Sequence, residues 1–92
     1  MKISPEIVNV GLNMAIVSRR DNADFLSSAF PGDSKILKAT SMLEKAASIY
    51  EEAIETLRMG YTMEIRDRVA GKLYEAASYE REVGRLLASS AG

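Results

Sequence analysis

The chain has 92 residues, 47% hydrophobic and 27% charged, which is room for one domain with a modest core. Twelve Lys and Arg against thirteen Asp and Glu leave a net charge of −1, without the basic excess of a nonspecific nucleic-acid binder. There is no Cys and no His, which excludes disulfides, thiolate or imidazole metal sites, and Ser-His or Cys-His nucleophiles.

The N-terminus, Met1-Lys2-Ile3-Ser4-Pro5-Glu6, has no signal-like apolar core. The longest apolar run, Met14-Ala15-Ile16-Val17, is far short of the roughly 20 residues of a membrane span. The expectation is a cytoplasmic chain without membrane insertion. Ser4 is placed to cap a first helix, with Pro5 at its first position and Glu6 near the positive end of the dipole. Ile7, Val8, Val10, Met14, Ala15 and Val17 recur at spacings of three and four, a broad helical stripe. Arg19-Arg20-Asp21-Asn22 reads as a break or kink, which would leave a fourth short helix near residues 22–29. Phe25, Leu26 and Phe30 are expected to tuck back onto the bundle.

Pro31-Gly32-Asp33-Ser34 is a turn followed by two N-cap candidates. Beyond it Ile36, Leu43, Tyr50 and Leu57 stand one heptad apart, and Ala39, Ala46 and Ala53 follow the first three by three residues. Thr40, Ala47 and Ile54 widen this stripe to the face of a bundle helix. No Gly or Pro interrupts Ser34 to Met59, a helix of about 39 Å at the standard rise. The alanine ladder allows close approach of a neighbouring helix.

Gly60 is a candidate C′ residue, and Thr62 can cap a third helix with Glu64 in its first turn. Ile65, Val69, Leu73, Ala76, Val83 and Leu87 form its apolar stripe, joined by Tyr79 and Leu86. A second track of smaller residues runs along Ala70, Tyr74, Ala77, Gly84 and Ala88, interrupted by Arg81. Gly71 and Gly84 either permit close backbone approach or are simply tolerated, and the tail from Ala88 is expected to fray. The predicted fold is a single all-α domain over residues 1–92, an antiparallel bundle of three helices at about 4–29, 34–59 and 62–88, with the fourth short helix counted separately if the break is real.

The chemistry-bearing side chains have bland and functional readings. Glu51, Glu52 and Glu55 form the densest acidic group; paired carboxylates can bind Mg²⁺ or Ca²⁺ or do acid–base work, but a solvated helix face explains them as well. Glu80 adjoins the inner stripe of the third helix, where it can pair with a base from another helix, contact a ligand, or reach water at the edge. Tyr50 is expected in the core with its hydroxyl at the bundle edge. Tyr74 lies off the main stripe, to line a surface groove or to pack on the first segment. Arg19 and Arg20 can touch an anionic partner. No Gly-rich phosphate loop occurs, and capping accounts for Asp33-Ser34.

The pattern Ala46-x3-Tyr50-x2-Ala53-Ile54-x2-Leu57 resembles the central helix of MIT domains, the three-helix modules of ESCRT-disassembling ATPases, and it is also that of a tetratricopeptide helix. The charged run Tyr79-Glu80-Arg81-Glu82 and the ending Leu86-Leu87 are similar in character to the last MIT helix, so that the resemblance spans residues 36–87. It differs in the first segment, where Arg19 to Asp33 replaces a tight turn. The resemblance implies a non-catalytic module that captures a short peptide or helix of a partner protein in an inter-helix groove, without cofactor or metal. The partner-binding positions would be Ala70, Tyr74, Ala77, Arg81 and Gly84. The alternative is a homodimer paired through the heptad and alanine ladder of the second helix, with a structural or assembly role.

Overall fold

The computed structural model describes the backbone of residues 5–91 and the side chains of residues 10–89. Three helices follow one another, α1 Pro5–Ala29, α2 Ser34–Leu57 and α3 Met63–Ala91, with no strand among the described residues. The caps follow from local chemistry. Asp33 has an extended backbone and its carboxylate accepts from the Lys35 and Ile36 amides at 2.9 and 3.2 Å, which satisfies two of the first free donors of α2. Thr62 does the same for α3, with its Oγ1 3.2 Å from the Ile65 amide. Arg58 caps the C-terminus of α2, so Gly60 stands one residue beyond the expected C′ position; its φ of +137° is the left-handed backbone that favours glycine.

α2 lies between the other two helices and packs against both, antiparallel to each. Ala39, Ala46, Ala47 and Ala53 of α2, Ala23 of α1 and Ala76 of α3 are completely inaccessible to solvent. Among the described residues no side chain larger than alanine reaches that degree of burial, so the core is thin, and its stability rests on backbones approaching closely rather than on bulk. One cluster gathers Leu12 and Ile16 of α1, Ile49, Tyr50 and Ile54 of α2 and Val69 of α3; a second joins Ala23, Leu43, Val83 and Leu86. The molecule measures 45 × 21 × 19 Å, and its long axis is about the length of α3 at 1.5 Å per residue.

Five expectations need correction. α1 is one continuous helix through Arg19-Arg20-Asp21-Asn22, and residues 22–29 are not a separate helix. The polar run contains no Gly or Pro, and its two arginines are tied to carboxylates on α3 and α2, so nothing there stops helix propagation. The buried face of α1 is Leu12, Ile16 and Ala23, with Ala15 and Leu26 partly buried, whereas Val10, Met14 and Val17 point outward at 58%, 67% and 58% exposure. In a continuous helix Phe25 falls on that outer side too, so Phe25 and Phe30 remain exposed and only Leu26 packs inward. The alanine ladder of α2 is already covered by α1 and α3, and it is not available as a dimer seam. α3 remains helical to Ala91, where fraying was expected from Ala88.

The capping expected of Ser4 and the side-chain placement of Pro5, Glu6, Ile7 and Val8 lie outside the described residues. Gly71 and Gly84 are tolerated rather than required, since a Cβ at either would meet nothing within 4 Å.

Candidate interaction site

Packing on a common neighbour does not bring α1 and α3 together. No Cα of α1 comes within 8 Å of one of α3 among the described residues. The gap is spanned by side chains, and one network carries the span. Arg19 follows Ile16 by three residues and precedes Ala23 by four, which turns its guanidinium inward beside the core. Its Nε donates to the Glu80 carboxylate of α3 at 2.5 Å, and the Tyr50 hydroxyl of α2 donates to the same oxygen at 2.9 Å. The guanidinium also lies over the Tyr50 ring, 5.6 Å from its centroid. All three helices therefore meet at one carboxylate oxygen.

The electrostatics follow from this geometry. Partial burial by itself would raise the Glu80 carboxyl, but the Arg19 and Tyr50 hydrogen bonds and the Arg19 charge outweigh it and hold the group below its ordinary value. Arg19 is raised, chiefly by its hydrogen bond to Glu80. Tyr50 is raised by burial and then by Glu80. A carboxyl that is more acidic folded than unfolded stabilises the fold fully at pH values above its unfolded pKa, and that stabilisation disappears as the pH falls through the folded value. Below about pH 4.5, therefore, the melting temperature of the wild type should fall more steeply than that of Glu80→Gln. Parallel slopes in thermal melts from pH 6 to 3 would show that the Glu80 charge contributes nothing to stability.

The three acids that prompted a metal or acid–base reading divide among three separate cations. Glu51 pairs with Arg20 of α1, Glu52 with Lys72 of α3 at 3.2 Å and Glu55 with Arg58 at 2.5 Å. These side chains are largely exposed, the solvated face considered from the sequence. Lys45 stands over the Tyr79 ring and Arg66 over the Tyr61 ring, at 5.8 and 5.7 Å from the centroids.

The expected partner-binding positions form one flank of α3. Ala77 stands three residues before Glu80 and Gly84 four after it, so by helical spacing Ala70, Ala77 and Gly84 lie next to Glu80 on the side that looks toward α1. Tyr74 and Arg81 lie farther out on the same flank. Ala70, Arg81 and Gly84 are exposed and Ala77 is half-buried. Tyr74 is 75% exposed, which excludes a packing contact with α1 and leaves it on the open surface.

Glu80 pairs with a base from another helix, one of the readings its position allows from the sequence, but spacing alone does not identify that base as Arg19, which falls in the expected break. The outward apolar face of α1 has no sequence signal, because that helix is apolar on two sides. No helix among the described residues is long and apolar enough to cross a membrane. No family model matches this chain, and no curated protein or solved structure is significantly similar to it.

Proposed function

We propose that this chain is a non-catalytic protein–protein interaction module that takes a short peptide or helix of a partner in the trough between α1 and α3. The observation that carries this reading is the separation of the α1 and α3 backbones beside a flank of small residues, Ala70, Ala77 and Gly84. Small side chains let a peptide backbone come close, while Tyr74 and Arg81 at the rim offer an aromatic surface and a charge to set its register. The open space at the Gly84 Cβ position leaves room for such a ligand.

Selection of a displayed peptide library on the wild type, with Ala77→Glu as counter-target, tests the proposal. Ala77 is half-buried at the surface, so the variant should keep its helical content and thermal stability within about 1 kcal/mol. Peptides that bind the wild type should lose at least about tenfold in affinity for Ala77→Glu, a carboxylate being set into an apolar contact. Selected peptides that bind both proteins equally would remove the trough as the binding site.

A further inference from the structure

We propose that the outer face of α1 is a second docking surface, and that it takes a basic amphipathic helix of another protein. Val10, Met14, Val17 and Phe25 share the side of α1 turned away from α2, and each is 58–67% exposed. The first three follow one another by four and three residues, an unbroken apolar stripe, and a shallow depression runs from Asn13 to Asn22 around Met14 and Val17. A helix whose opposite sides are both apolar is of the kind otherwise found buried, yet nothing among the described residues covers the outer side. This surface is separate from the α3 flank assigned to peptide capture.

Charge selects the occupant. Asp21 and Asp24 stand on the same outer side of α1 between Val17 and Phe25, exposed and without an ion pair among the described residues. The nearby bases are committed elsewhere, Arg19 to Glu80 on the inner side and Arg20 to Glu51. Among the described residues the surface is therefore apolar and acidic, with no cation left over beside Asp21 and Asp24. A second copy would bring four carboxylates into one contact, whereas lysines or arginines flanking an apolar stripe would pair with them. The stripe from Val10 to Phe25 is about 22 Å long at the helical rise, a match for four turns of a partner helix. The contact is of the weak, reversible, salt-sensitive class.

The probe is a designed peptide of about 18 residues, long enough to hold a helix, with leucines on one face and lysines on its flanks; its counterpart carries glutamates in place of the lysines. Fluorescence anisotropy should show the lysine peptide binding the wild type, more weakly as salt is raised, and the glutamate peptide not binding. Met14→Glu and the double variant Asp21→Lys/Asp24→Lys, all at exposed positions, should keep the fold by circular dichroism and lose at least about tenfold in affinity for the lysine peptide. Ala77→Glu should bind that peptide as the wild type does, which keeps this surface distinct from the trough. The proposal is overturned if the lysine peptide fails to bind at about 1 mM, if both peptides bind alike, or if Ala77→Glu abolishes binding. It is equally overturned if sedimentation shows a wild-type dimer that Met14→Glu dissolves, since the occupant would then be a second copy.

Discussion

Ala46→Glu is expected to unfold the protein. Ala46 is completely inaccessible, at the centre of the helix that both others cover. A glutamate there adds volume inside the cluster of Ile16, Tyr50 and Ala76 and takes a carboxylate out of water. Overpacking alone costs about 1–3 kcal/mol, and burying the charge adds several more. A chain of 92 residues has a total stability of about 5–14 kcal/mol, so the two effects together consume most or all of it. Circular dichroism should show the helical signal lost or melting without cooperativity at 25 °C. Ala70→Glu, on the exposed flank of α3, is the matched control and should melt as the wild type does. A folded Ala46→Glu protein with a cooperative transition near that of the wild type would contradict the packing of α2 between its two neighbours.

The second large effect belongs to Tyr50, which fills the core next to the alanine ladder and also holds Glu80. Tyr50→Ala should lower stability by about 3–5 kcal/mol, as truncation of a buried aromatic does when its surroundings cannot collapse. Tyr50→Phe keeps the ring and removes only the hydroxyl that donates to Glu80, and should lower stability by about 1 kcal/mol. Since Glu80 keeps its Arg19 hydrogen bond in that variant, the carboxylate is not left stranded. Chemical denaturation of the two variants separates packing from hydrogen bonding. Equal losses would mean that the network, and not the ring, is what Tyr50 supplies.

The contrast between α2 and α1 shows what periodicity can reveal. The heptad of Ile36, Leu43 and Tyr50 with its alanines is apolar on one side and charged on the other, so its buried face was readable, as were the caps Asp33 and Thr62. The stripe of α3 was readable for the same reason. α1 offers two apolar sides, and the one occupied by Val10, Met14 and Val17 is as good a stripe as the one occupied by Leu12 and Ile16. The choice is made by tertiary contacts, namely where Arg19 finds Glu80 and Arg20 finds Glu51, and one-dimensional spacing contains neither. The same contacts explain why four polar residues in a row continue a helix instead of ending it. For the candidate site, the α3 flank was legible as a track of small residues beside the core stripe; the outer face of α1 was not, because it was assigned to the core.

A layout in which the backbones of both outer helices pack only on the middle one also bears on how the chain folds. Each outer helix forms a hairpin with its immediate neighbour in sequence, so the packing partners are joined by short connections and little loop-closure entropy stands before the first contacts. Low contact order of this kind goes with folding in microseconds to milliseconds. The same layout makes the two hairpins compete for one shared element. Once α2 is structured against one neighbour, the other can dock or detach on its own, with the Arg19–Glu80 bridge as the principal tie between them. The backbone amides of α2 would then exchange only through global opening, while either outer helix can be the last to arrive and the first to leave.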